Sequence, residues 1–93
     1  MGTVGGNVFY NGGDAPQGTL RVAAHVSYPS DDPPAAFVEI EDPAFPGQAY
    51  ELSVPLGSYR IVAKLGELIG VTPAPVDLDP EQRDARRINV ELR

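Results

Sequence analysis

Any catalysis or metal binding by this chain has to start from one imidazole. His25 is the only histidine, and there is no cysteine. Zinc sites gather several nitrogen and sulfur ligands, usually with more than one His or Cys among them. His25 alone therefore reads as an ordinary surface or interface residue. A Ser–His–acid relay has the same single His and only four serines to draw on. No glycine loop that could cradle a phosphate precedes a helix. Carboxylates do cluster, at Asp31-Asp32 and at Glu39, Glu41 and Asp42. Loop oxygens of this kind can hold calcium, but the Asp-x-Asp-x-Asp-Gly spacing is absent, and acidic loops are ordinarily solvated. Sugar stacking would fall to exposed aromatics, with Tyr10, Phe37 and Phe45 as candidates. The chain has no tryptophan, and core packing is the plainer role for most aromatic rings. The residues predict no enzyme and no cofactor.

The elements that would position these residues are strands. The stretch Ala49 to Leu65 organises them: Tyr50, Leu52 and Val54 alternate with Glu51 and Ser53, and Tyr59, Ile61 and Ala63 alternate with Arg60, Val62 and Lys64. Period two on both sides of Pro55-Leu56-Gly57-Ser58 predicts a β-hairpin. Thr19 to Tyr28 is the clearest single strand, with Leu20, Val22, Ala24, Val26 and Tyr28 facing in and Thr19, Arg21, Ala23, His25 and Ser27 facing water. Thr3 to Tyr10 is another, and its Gly5-Gly6 pair signals a bulge or a close backbone approach. Ala36 to Glu41 places Val38 and Ile40 inward, and Phe37, Glu39 and Glu41 outward. Gly66 to Gly70 reads as an apolar connection. Val71 to Leu78 carries Pro73 and Pro75, which predict an edge strand or an extended crossing. Asp79-Pro80-Glu81-Gln82 has the signature of a helix start, about one turn long. Arg87 to Leu92 closes the series, with Ile88, Val90 and Leu92 inward. Seven strands, with turn signals every eight to twelve residues or so, predict an all-β, immunoglobulin-like antiparallel sandwich formed by residues 1–93 as one domain.

Three motifs carry a resemblance: Gly2-Thr3-Val4-Gly5-Gly6-Asn7-Val8, Gly47-Gln48-Ala49-Tyr50-Glu51-Leu52, and Val54-Pro55-Leu56-Gly57-Ser58-Tyr59-Arg60-Ile61-Val62-Ala63. They resemble the carboxypeptidase regulatory-like domains, which are transthyretin-like (prealbumin-like) sandwiches found in many secreted bacterial proteins. The resemblance covers almost the whole chain. It implies a fold and no activity, with Tyr50, Leu52, Gly57 and Tyr59 as fold residues. Gly57 would permit the turn, while Tyr59 would fill core space and send its hydroxyl to a polar partner. The first loop departs from the family pattern: Asp14-Ala15-Pro16-Gln17-Gly18-Thr19-Leu20-Arg21-Val22 keeps only the Pro, one Gly and the final Val. The related hydroxyisourate hydrolases use several His and Arg residues and a Tyr-Arg-Gly-Ser terminus. This chain ends Asn89-Val90-Glu91-Leu92-Arg93, so that enzyme reading is rejected. An isopeptide bond, as in collagen-adhesin repeats, needs Lys, Asn and an acid meeting in the core. Lys64 and Asn89 are both predicted outward, and no such bond is expected.

Composition bounds the remaining possibilities. Ten glycines and ten prolines in 93 residues argue for short strands and frequent turns. With no disulfide possible, the core must suffice alone or with an oligomer's help. A net charge of −6 disfavours nucleic acid and anionic membrane surfaces as partners. No apolar run approaches the ~20 residues of a membrane span. Met1 to Gly6 lacks the basic and apolar regions of a signal peptide. The location is then cytoplasm or virion, or extracytoplasmic for an excised family domain. The expected function is a non-catalytic structural or protein-interaction module, acting as spacer, accessory or assembly domain. It would bind a protein partner or a second copy through a strand edge, with Phe37, Glu39 and Glu41 as the candidate interface. A carbohydrate-binding module and a small virion or assembly decoration protein are the alternatives.

Overall fold

The computed structural model describes residues 2–10, 12, 18–26, 34–43, 47–72 and 75–93. Among these the chain forms nine strands: β1 (Gly2–Phe9), β2 (Thr19–His25), β3 (Ala36–Glu41), β4 (Gly47–Val54), β5 (Gly57–Leu65), β6 (Leu68–Val71), β7 (Val76–Leu78), β8 (Asp84–Ala85) and β9 (Val90–Glu91). They build two sheets in a sandwich-like arrangement. In one, β4 pairs with β1, and both β8 and β9 line the other side of β1; in the other, the order is β3-β2-β5-β6, with β7 also on β5. The apolar sets predicted from alternation meet between the layers. Leu20, Val22, Ile61 and Ala63 from one sheet pack with Val4, Val8, Leu52 and Val54 from the other.

Several expectations need correction. The Ala49 to Leu65 stretch is not a hairpin. Its first strand, β4, pairs with β1, and its second, β5, pairs with β2. The chain arches from one sheet to the other at residues 55–57, so both alternating faces point at the same core from opposite sides. Periodicity cannot tell an arch from a hairpin, because each places one apolar face per strand. The true tight hairpin joins β5 to β6, with Leu65 opposite Leu68 across Gly66-Glu67. Gly66 has φ +61° there, which suits the first central position of a two-residue turn. The stretch expected to be a connection is thus a strand.

The count of seven and the uniformly antiparallel pairing are also corrected. Val71 to Leu78 divides into β6 and β7, which pair with opposite ends of β5. Thr72 bridges them: its backbone N–H donates to the Ile61 carbonyl at 3.0 Å, and its Oγ1 accepts from the Ile61 N–H at 3.2 Å. Arg60 donates to the Thr72 carbonyl at 3.2 Å. Pro73 lies outside the described residues. The predicted helix start is a β-turn. Asp79 Oδ1 accepts from the N–H groups of Glu81 and Gln82, and the Asp79 and Gln82 backbones exchange two bonds. Asp at the first and Pro at the second position of a type I turn carry the same signature as a helix N-cap. The last strand, expected over Arg87 to Leu92, is shorter. β8 and β9 run parallel to β1, separated by an excursion in which Arg87 takes φ +59°.

The C-terminal segment stitches the layers together. The Ile88 N–H donates to the Gly5 carbonyl and the Leu92 N–H to the Phe9 carbonyl, and Arg93 exchanges two backbone bonds with Ile69 of β6. Gly6 and Gly70 make this possible. A Cβ at Gly6 would collide with the backbone of Ile88, and one at Gly70 with the backbone of Glu91. The close approach expected at Gly5-Gly6 is therefore found at Gly6. On this side β1 and β6 are covered, whereas on the other β3 and β4 each end a sheet.

Candidate functional site

β3 is an edge strand. It pairs antiparallel with β2, from Ala36 opposite Ala24 to Glu41 opposite Thr19, and with no other strand among the described residues. Its pattern is strictly alternating, with Ala36, Val38 and Ile40 half-buried and packed on the core. Phe37, Glu39 and Glu41 all face out, as expected, and Phe37 is 51% exposed. The edge thus joins an apolar inner row to an aromatic and acidic outer row.

The outer face of the same sheet is less polar than alternation predicts. Ala23 and Val62 point away from the core yet are only 4% and 2% exposed. They stand opposite each other on β2 and β5 and do not belong to the core cluster. Flanking them are two cross-strand pairs of basic residues, Arg21 with Lys64 and His25 with Arg60. The Arg21 guanidinium lies over the Phe37 ring, 4.3 Å from its centroid, a cation–π contact that ties β2 to the edge. Arg21, His25, Lys64 and Pro34 wall a depression of about 180 Å³ over the Ala23–Val62 floor. Burial holds the His25 pKa below its ordinary 6.5, and Lys64 and Arg21 add to that effect. Alternation sets these side chains on the outer faces of β2 and β5 but cannot bring them together, because the pairing of β2 with β5 is long-range. Two expectations on β2 are corrected: Ala23 lies on the outer face but is buried rather than wet, and Val26 is 75% exposed, because β2 ends at His25. Tyr28 lies outside the described residues.

The fold residues do what their chemistry suggests. Tyr59 is buried at the start of β5, and its hydroxyl donates to the Pro55 carbonyl at 2.7 Å, across the arch. Gly57 occupies φ +154° within that arch, a region that L-residues rarely enter. Tyr50 is buried on β4, and its hydroxyl donates to the Ile88 carbonyl at 2.5 Å, pinning the C-terminal segment. Burial raises its pKa far above the ordinary tyrosine range. Leu52 is in the core.

Other chemistry finds little support. Among the described residues no three His or acidic groups converge on a point that could hold a metal ion. Asp31, Asp32 and Phe45 lie outside those residues. Tyr10 is half-buried and packs against the core. Asn89 accepts from the Asn7 N–H through Oδ1, away from Lys64, which faces out on β5. Among the described residues no helix is long and apolar enough to cross a membrane. Compared with known proteins, the chain matches no family model, no curated protein and no solved structure.

Proposed function

We propose that the chain is a non-catalytic protein-interaction module that accepts an extended strand of a partner along β3. One observation carries this reading: β3 ends its sheet with no second strand hydrogen-bonded to it among the described residues, while the C-terminal segment covers the opposite side of the molecule. An unpaired edge offers a row of N–H and C=O groups to an added strand. Self-pairing is the weaker form of the reading. Antiparallel pairing of two β3 strands about Glu39 sets Glu39 against Glu39, and like charges directly opposite are destabilising. A strand with basic residues at alternate positions fits better.

The architecture is read further as an immunoglobulin-like sandwich of the carboxypeptidase regulatory-like, prealbumin-like kind. The Tyr59 hydroxyl bound to the carbonyl of Pro55 supports this, because such a corner is a feature of immunoglobulin-type sandwiches. The functional reading rests on the edge, since architecture alone names no function.

The test combines light scattering over a concentration series with selection of extended peptides from a displayed library. Amide exchange over residues 36–41 is the readout. Self-association, or a captured peptide, that protects alternate amides of β3 supports the reading. A monomer at every concentration that captures no strand-forming peptide sinks it.

A further inference from the structure

A groove of about 490 Å³ opens between β7, on one sheet, and the 86–89 excursion that separates β8 from β9 on the other. Its volume lies within the ~300–1,000 Å³ of small-ligand sites. The floor is apolar, with Val76 and Ala85 buried and Ile88 half-buried. The rim is polar and exposed, and consists of Asp77, Gln82, Arg87 and Asn89. Asp77 and Arg87 are opposite in sign, yet they are not paired with each other. Among the described residues the one salt bridge is Arg86 with Glu51, so no cation stands within ion-pair distance of Asp77 and no anion within that of Arg87. Of the charges nearby, Asp79 is bonded within its own turn and Arg60 donates to the Thr72 carbonyl. Glu81, Arg83 and Asp84 do not line the groove. Arg87 also holds φ +59°, a left-handed backbone that a bulky side chain rarely adopts. Strain of this kind persists only where the surrounding structure enforces it, and it gathers at binding sites.

We propose that this groove binds a small zwitterion of the dipeptide type, its ammonium on Asp77, its carboxylate on Arg87 and its aliphatic side chain on the floor of Val76, Ala85 and Ile88. Opposite charges set apart on one rim match a ligand that carries both signs, whereas a simple anion or cation would leave one of them unmet. The two carboxamides suit the peptide group between the ligand's ends, since each offers both a donor and an acceptor. The Asn89 Oδ1 already accepts from the Asn7 N–H, which leaves its NH₂ group to donate. A sugar fits less well, because no aromatic ring lines the groove to stack against it. The site uses no group of β3, so it goes beyond the strand-addition reading and does not depend on it.

The test is an NMR titration of the full chain with alanyl-leucine at low salt and, in parallel, with N-acetyl-alanyl-leucine, alanyl-leucine amide and maltotriose. Alanyl-leucine is expected to shift the amides of residues 76–78 and 85–89 saturably. Capping either end should weaken binding about fivefold, the worth of one exposed charge contact. Each cap should answer to one variant. Asp77→Asn should erase the preference for the free amine and keep that for the free carboxylate, and Arg87→Gln should do the reverse. A merely structural role for either residue would not divide in this way. Both side chains are exposed, and the capped ligands test the proposal on the unaltered chain whether or not a variant folds. No saturable shift, equal affinity for the capped forms, or variants that lose no selectivity would overturn the proposal. So would saturable shifts of the same amides by maltotriose alone, which would assign the groove to a sugar. These amides lie outside residues 36–41, so a failure here is separate from a failure of strand addition.

Discussion

At the scale of single residues, two tyrosines do different work with the same group. The Tyr59 hydroxyl closes the arch on Pro55, and the Tyr50 hydroxyl holds the C-terminal segment through Ile88. Tyr59→Phe and Tyr50→Phe should each cost about 1 kcal/mol in chemical denaturation, the net worth of a neutral hydrogen bond. The cost at Tyr50 should be the larger, because Pro55 is exposed and water can replace the lost donor there, whereas Ile88 is half-buried. His25 gives a pH prediction. Its folded pKa lies below 6.5, so the unfolded chain binds the proton more tightly. Its contribution then leaves stability unchanged above pH 6.5 and reduces it as pH falls from there through the folded value. Wild type should lose more thermal stability than His25→Gln between pH 7.5 and 5; equal losses would refute the assignment. The exposed Arg86–Glu51 pair, at 3.3 Å with side chains 59% and 63% exposed, is different. Glu51→Gln should cost no more than about 0.5 kcal/mol.

At the scale of elements, the strands were legible and their partners were not. Alternation placed Phe37, Glu39 and Glu41 outward on β3, and Tyr50, Leu52 and Val54 inward on β4, because period two is local to a strand. It misread the Pro55–Gly57 region as a hairpin, since strand pairing is a long-range choice that alternation does not encode. The turn signature at Asp79-Pro80 is likewise ambiguous, because a helix cap and a β-turn use the same local bonds. The glycine pair in β1 was more informative. Gly6→Ala would drive a methyl into the Ile88 backbone and should cost about 1–3 kcal/mol through forced displacement of the C-terminal segment. Its thermal melt would report this. An unshifted midpoint would mean that the close approach is absent in solution.

At the scale of the whole molecule, the C-terminal residues close one side of the sandwich. Val90 and Leu92 are buried, at 1% and 3% exposure, and their segment bonds to β1 and β6. Removing residues 90–93 withdraws two buried side chains at about 1.5–3 kcal/mol each, a large share of the ~5–15 kcal/mol that holds a typical domain together. The truncated chain should lose cooperative unfolding, and an unchanged denaturation midpoint would count against the seam. The sequence by itself determined the all-β character, the inward and outward sets of most strands and the lack of disulfide or thiolate chemistry. Each of these follows from residue type and local spacing. Only the tertiary structure decided that β4 and β5 belong to different sheets, that β8 and β9 run parallel to β1 and that β3 is an edge. It alone brought Arg21 against Lys64 and His25 against Arg60 over the Ala23–Val62 floor. Those arrangements depend on which strands meet and in what register, and that is set by burying all the apolar faces at once.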